Sequence, residues 1–474
     1  MAPERGETQE ERSEARSYGQ RASLLSIGVA LTGLITYLFF VIASHELSKE
    51  DYGEIAVLWS AVFILVSTLQ RPVEQLLSRS VSEHIAVGHP YSRPLRIAAT
   101  IQLGISVVFV AVAVALRGPI EDGLLNGNDF LFWVGVSAVA AYGASYFARG
   151  FLAGSHRLTT YATLIICESV SRTAFPLAVA VGIASGQDAV ALGIVAAPTL
   201  SLIVVPFAFL RRRSPAEDDA NVRGDPSEGS ARDVRQGELP AEAEFTLAHG
   251  GGFAAAVFLI MLSEQAFLNA GPLLVQGTAG AAAAGFIFNI LMIARAPLQL
   301  FQAVSTSLLP HLTRLRAEGA DDDFRASVTV TIRAIAAFAG VAALAMAIAG
   351  PELMQIAFGD NFTYERVDLL IVTVGMGLYL AAATLNQAAL AQGQVRRAAA
   401  CWIGCAAVFV AWCLIPIVGD EFRRVEVGFL GGATILCSLL CAIYRRPRPR
   451  SEDTFEPGSA EELELRLAAA DEGT

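Results

Sequence analysis

Apolar residues fall into twelve long stretches separated by short polar turns, at roughly 22 to 45, 54 to 76, 94 to 117, 129 to 152, 159 to 183, 188 to 210, 250 to 276, 281 to 308, 326 to 349, 365 to 391, 398 to 418 and 425 to 444. Each reaches the ~20 residues that a helix needs, at ~1.5 Å per residue, to cross ~30 Å of hydrocarbon. The pattern predicts an all-α polytopic membrane protein with 12 transmembrane helices. The connections at 46–53, 118–128, 184–187, 277–280, 350–364 and 419–424 are brief, so no folded domain fits on that face. This argues against lipid-linked glycosyltransferases, polymerases and ligases, which carry a substantial outer loop for their chemistry.

Charge assigns the faces. Of the 34 lysines and arginines, twenty-six lie at the two ends of the chain and on the alternate connections that begin near Arg71, Arg149, Arg211, Arg314 and Arg396. Only Lys49, Arg117, Arg366, Arg423 and Arg424 lie on the others, and Arg172, Arg295 and Arg333 fall inside spans. The excess of cations on one face is that of cytoplasmic loops, so both termini and the long middle loop are expected in the cytoplasm of a multi-pass plasma-membrane protein. An even span count agrees.

Composition changes the picture only outside the spans. The chain of 474 residues is 54% hydrophobic with a mean hydropathy of +0.51, too apolar for a soluble domain. Its net charge of -11 comes from acidic runs at Glu4 to Glu14, Glu217 to Glu244 and Glu452 to Glu472. Such stretches bury too little apolar surface to order themselves. The expected organisation is a disordered cytoplasmic tail over 1–21, a first lobe over 22–210, a cytoplasmic linker over 211–249, a second lobe over 250–444 and a disordered acidic tail over 445–474. A polar, acidic start is not a signal peptide. All six cysteines (Cys167, Cys401, Cys405, Cys413, Cys437, Cys441) lie within spans without metal-site spacing, so neither a disulfide framework nor a metal is implied.

The middle loop divides the spans six and six, and the halves echo one another. Tyr52-Gly53 opens a span that later reads Gln70-Arg71-Pro72-Val73-Glu74-Gln75, and Ala284-Gly285 opens one reading Arg295-Ala296-Pro297-Leu298-Gln299. A weaker match pairs Phe151-Leu152-Ala153-Gly154 with Ala389-Leu390-Ala391-Gln392-Gly393. Both pairs keep the same sidedness. A parallel repeat of six-helix halves follows, and transporters of that build place substrate between the halves.

These residues resemble the polysaccharide flippases of the multidrug/oligosaccharidyl-lipid/polysaccharide (MOP) exporter superfamily. Leu47-Ser48-Lys49-Glu50-Asp51-Tyr52-Gly53 is similar to the family's Gly-ended first outer loop, Arg149-Gly150-Phe151-Leu152-Ala153-Gly154 to its RG-x-L-x-G pattern, and Pro297 through Pro310-His311-Leu312-Thr313-Arg314 to the end of its eighth helix. The likeness covers about residues 20 to 445. It implies two six-helix lobes around a central cavity that alternates between faces. It also implies a polyprenyl-pyrophosphate-linked oligosaccharide as cargo, moved from the inner to the outer leaflet for surface polysaccharide synthesis. Membrane lipids and polysaccharide-assembly proteins are the other expected partners; no cofactor, metal or nucleic acid is expected.

Moving a sugar diphosphate through lipid requires a polar cavity, and arginine suits the diphosphate because it stays charged and offers forked donors. Ionisable residues within spans are costly and are functional candidates by default. Arg295, near mid-membrane, is read as facing an anion, with a structural pair to Glu264 as the alternative. Glu168 and Arg172, one turn apart, read as a neutralising pair that can also line a cavity. Arg71 and Arg79, with Glu74 and Gln75, suit either a solvated helix end or a cargo-facing wall, and Arg149 and Arg333 can snorkel. Asn269, Asn289 and Gln299, with Gln265, Asn386 and Gln387, can bond sugar hydroxyls or neighbouring helices. Pro72, Pro176, Pro198, Pro206 and Pro297 are expected to kink their helices.

Four other readings compete. A drug/cation antiporter of the same superfamily usually needs a buried carboxylate to exchange cation for substrate, and the first span, Ser23 to Ser44, has none. A major facilitator needs a charged Gly-x-x-x-Asp-Arg loop where this chain has Ser78-Arg79-Ser80-Val81-Ser82-Glu83-His84. A membrane enzyme needs a convergent nucleophile, metal set or acid pair, and no HExxH or Walker sequence is present, so no enzymatic activity is expected. A non-transporting scaffold for polysaccharide assembly is the remaining alternative.

Overall fold

A computed structural model describes residues 9–86, 90–206, 247–317 and 319–445. These residues form fourteen helices: α1 (Gln9–Glu46), α2 (Lys49–Leu69), α3 (Arg71–Ala86), α4 (Ser92–Ala115), α5 (Arg117–Leu124), α6 (Asp129–Gly154), α7 (Leu158–Ala180), α8 (Gly186–Ser201), α9 (Leu247–Ala279), α10 (Ala281–Ala317), α11 (Asp321–Phe358), α12 (Arg366–Ala391), α13 (Val395–Leu414) and α14 (Glu421–Arg445). With α2 and α3 counted together, eleven are long and apolar enough to cross a membrane. The twelfth, α10, contributes the shorter apolar stretch Ala281–Ile293. The short α5 lies between the third and fourth spans. Each expected span thus has its helix, in two lobes of six.

The helix ends follow local chemistry. Ser48 caps α2, its hydroxyl accepting from the Asp51 amide at 3.1 Å, with Glu50 and Asp51 in the first turn, where acids complement the helix dipole. Asn128 caps α6 in the same way, through the Leu131 amide at 3.2 Å. Between α2 and α3 the chain turns at Gln70, because Pro72 has no amide to donate back to the preceding turn. The proline expectation holds unevenly. α7 and α8 run through Pro176 and Pro198, α10 runs unbroken past Pro297, and the other interruption falls at Ala349, beside Gly350-Pro351 in α11.

Two expectations change. Residues 9–21, assigned to a solvated tail, continue α1, where the Glu, Arg and Ala of this segment are strong helix formers. Residues 1–8, the linker over 211–246 and the tail over 446–474 lie outside the described residues. The weaker repeat match also shifts in register. His156 and Gly393, not Gly154 and Gly393, are the left-handed residues that close α6 and α12, at φ 57° and 74°. Each is followed by an amide that reaches back six residues inclusive, Arg157 to Leu152 and Gln394 to Ala389, both at 2.9 Å.

Within the first lobe α1 lies against α7, α7 against α8, and α6 against α3 and α8; within the second, α14 lies against α12 and α13, and α12 against α11. The lobes meet where α2 packs on α9 and α10, and α1 on α10. One tight approach between them involves the two glycines that mark the repeat. A Cβ on Gly53 would stand 1.8 Å from the Ala281 carbonyl oxygen, and one on Gly285 would stand 3.1 Å from the Gly53 Cα. Around this contact Tyr52 donates to the Asn289 side-chain oxygen, Asn289 donates to Tyr364 at 2.9 Å, and Phe40 meets Phe288 with ring centres 4.6 Å apart. Asn126 completes the seam, donating to Glu54 at 3.0 Å and accepting from Gln276 at 3.0 Å. All of these lie at the end of the bundle bearing the α1–α2 turn.

Candidate functional site

A cavity of about 230 Å³ lies between the lobes. Its walls come from α1 (Thr36, Tyr37), α2 (Trp59, Phe63), α3 (Arg71), α6 (Tyr142, Tyr146, Arg149), α7 (Tyr161, Glu168, Arg172), α9 (Gln265, Asn269) and α10 (Met292, Arg295). Among the described residues, four arginines and a single carboxylate line it.

Local sequence places each charge. The turn at Gln70 rotates Arg71 inward, and Gln70, fully buried, is fixed by the Gln102 side chain, which donates to its oxygen. Arg149 owes its position to the glycines after it. A Cβ on Gly150 would meet the Glu74 carbonyl oxygen at 2.8 Å, and one on Gly154 the Ser78 carbonyl oxygen at 2.5 Å. This small-xxx-small spacing lets α6 lie directly on the α3 backbone, the usual route to tight contact between helices in lipid. The Arg-Gly-x-x-x-Gly run is therefore a packing device that presents Arg149 on the adjacent face.

Glu168 is shared. Its Oε1 accepts from Arg172 at 3.0 Å, and its Oε2 accepts from Arg149 and, at 3.2 Å, from the Ser145 hydroxyl. The expected Glu168–Arg172 pair is present, and Arg149 joins it from the next helix. Arg172 also donates to Tyr142 at 2.8 Å and Thr36 at 3.2 Å, with its guanidinium 4.6 Å from the Trp59 ring centre. Arg149 stacks on Tyr146 at 4.4 Å. Aromatic faces attract cations, which helps hold charge where water is scarce.

Arg295 does not pair with Glu264. It donates to the Leu268 carbonyl and, at 2.9 Å, to Asn269 Oδ1, and stacks 4.4 Å from the Phe288 ring centre. Asn269 is held in turn by its own donation to Gln265 at 3.0 Å. Since carbonyl and ring bear no formal charge, these contacts orient the guanidinium without cancelling it. Glu264 instead interacts electrostatically with Arg71 across the lobes. Glu74 acts on Arg71 as well and accepts from Tyr161 at 2.8 Å.

Arg295, Arg172, Glu168, Arg71, Arg149 and Asn269 therefore converge on one cavity. Three expected residues do not line it. Glu264 is not among the lining residues; Arg79 is 75% exposed and pairs with Glu83 on its own helix at 2.7 Å, because it lies two turns beyond the kink; and Asn289 is fully buried in the inter-lobe seam. The Gln299 side chain lies outside the described residues. Arg333 is exposed on α11 and Asn386 accepts from the buried Trp402 at 3.1 Å. The aromatic wall of Trp59, Tyr142, Tyr146 and Tyr161 was not singled out in the sequence. One signal could have found part of it: Tyr142, Tyr146 and Arg149 recur at four- and three-residue spacing along one face of an otherwise apolar span.

No family model matches the chain. Two uncharacterized proteins of Mycobacterium tuberculosis are each 24% identical to it, one over 441 residues covering 90% of this chain and 93% of the relative, the other over 402 residues covering 82% and 84%. Among solved structures, an inward-facing multidrug resistance MATE family transporter of the MOP superfamily superposes with a TM-score of 0.57 at 11% identity, covering 95% of this chain and 99% of that one. The eukaryotic MATE transporter AtDTX14 gives 0.57 at 12% identity, covering 91% and 96%. Vibrio cholerae VcmN gives 0.54 at 15%, covering 90% and 97%. The protein is thus a multi-pass α-helical membrane protein of two six-helix lobes. Its fold is that of the MATE transporters of the MOP superfamily.

Proposed function

We propose that the protein is a transporter that carries a polyprenyl-pyrophosphate-linked oligosaccharide from the inner to the outer leaflet, by alternating exposure of the cavity between its lobes. The observation that carries this reading is the charge of the lining: Arg71, Arg149, Arg172 and Arg295 against Glu168 alone. An excess of fixed guanidinium groups favours an anionic cargo, and a diphosphate matches their forked donors. Aromatic side chains on the same wall offer flat faces to sugar rings. On this reading the end bearing the α1–α2 turn is the outer one, and both termini are cytoplasmic.

The competing drug/cation antiporter is favoured by the multidrug transporters among the structural neighbours. A cationic drug, however, would enter a cavity whose lining repels it. The deciding experiment is Arg295→Ala in the native host. Loss of surface polysaccharide with the protein still inserted and abundant is expected; unchanged polysaccharide removes Arg295 from the mechanism. Robust efflux of fluorescent cations by the wild type would overturn the choice of cargo.

A further inference from the structure

The second lobe holds two carboxyl groups that the central cavity does not use. Asp368, in the first turn of α12, and Glu426, near the start of α14, are 7% and 1% exposed. The two carboxyl groups interact with one another, on helices α12 and α14 that pack together. Both Glu426 oxygens and Asp368 Oδ1 find no conventional donor among the described residues. An ionised carboxylate only accepts hydrogen bonds, and two of them buried near each other without donors are costly unless one carries a proton.

The surroundings do not supply a substitute. Arg424, adjacent in sequence, is turned away: its guanidinium donates to the Val418 carbonyl at 3.1 and 2.8 Å and to the Cys413 carbonyl at 3.4 Å. Arg423 stands 3.6 Å from Asp368 Oδ1, but it is 48% exposed and donates to Glu365 at 3.0 Å. Glu365 and Asp420 add negative charge nearby, and Asp420 is occupied with the Phe422 amide at 2.9 Å. From α9, Thr278 reaches only Glu421, at 3.0 Å. From α13, Trp412 donates to the Arg424 carbonyl at 2.9 Å. One half-exposed arginine shared with Glu365 cannot neutralise two buried carboxylates. Among the described residues no group of three or more His, Cys, Asp or Glu is placed to hold a metal ion, which leaves the proton as the ligand.

We propose that Asp368 and Glu426 bind a single proton between them, forming a proton-exchange site in the second lobe that is separate from the central cavity and lies toward the end bearing the α1–α2 turn. Buried carboxyl pairs of this kind titrate as a unit, because two like charges in contact cannot both ionise cheaply. When the proton leaves to water, two negative charges face each other across the α12–α14 contact. Proton occupancy is thereby linked to the packing of this lobe, whatever the cargo.

Infrared difference spectroscopy on the purified full-length protein in lipid nanodiscs, stepped in pH, tests this without reference to transport. The wild type is expected to show a protonated-carboxyl band that shifts in heavy water and disappears on raising the pH. Glu426→Gln and Asp368→Asn should each remove that band. Absence of the band from the wild type, its persistence in both variants, or its loss on adding sodium at constant neutral pH would each overturn the proposal. The wild-type titration decides the matter even where a variant fails to fold.

Discussion

Glu168 shows how one residue sets the state of several. It is 5% exposed and accepts from two arginines that are themselves 9% and 3% exposed. Glu168→Gln leaves both guanidinium groups buried beside a neutral amide, and breaking such a pair from one side costs about 3–5 kcal/mol. A clear drop in melting temperature and in the yield of folded protein is expected, read by size exclusion after heating. Arg79→Ala is the contrasting case. Its partner lies one turn away on an exposed surface, where such pairs contribute roughly 0.3–0.5 kcal/mol, so melting temperature and surface polysaccharide should both remain near wild type. The arginines of the cavity were legible in the sequence because a charge inside an apolar stretch stands out and needs a reason. Their aromatic partners were not, since Trp59 and Tyr142 are ordinary in a span until neighbouring helices bring them against a guanidinium. Asp368 and Glu426 escaped for a different reason. Each falls within a few residues of a span boundary, where an acid reads as solvated, and only the packing of α12 on α14 shows both to be buried.

Helix pairs carry the geometry of the site. The α2–α3 turn was legible from Gln70-Arg71-Pro72, and its counterpart around Arg295-Ala296-Pro297 was expected to bend likewise; α10 stays continuous. Sequence similarity between repeats therefore located equivalent positions without fixing equivalent backbones. The α6 run ending at Gly154 was legible as a motif but not as an interface, because nothing local says which backbone will lie against it. With α3 there, a branched side chain has no room: Gly154→Val would place Cβ 2.5 Å from the Ser78 carbonyl oxygen. Overpacking of this kind costs about 1–3 kcal/mol. It should also displace Arg149 from Glu168, so surface polysaccharide is expected to fall further than protein level does, with the two measured on the same membranes.

At the scale of the molecule, the size of the cavity decides what must move. About 230 Å³ is smaller than the ~300–1,000 Å³ of sites that enclose drug-sized ligands, so the proposed cargo, a lipid-linked sugar, requires the lobes to part before it enters. The seam that must yield is the one through Gly53, Tyr52 and Asn289. Asn289→Ala leaves the Tyr52 and Tyr364 hydroxyls without their shared partner, a loss of about 1–3 kcal/mol that falls on the closed arrangement. In a cysteine-free background with Thr36→Cys in the cavity wall, this change should speed labelling by a membrane-impermeant thiol reagent from the side of the α1–α2 turn; unchanged labelling would mean that the seam does not guard the cavity. Glycine on glycine has a kinetic consequence as well. Immobilising a side chain at an interface costs about 0.5–1.5 kcal/mol, and the contact of Gly53 with Gly285 has none to immobilise. On the proposed alternating mechanism the lobes would meet and separate there in every cycle without searching rotamers, and the contact would work as a smooth bearing for repeated motion.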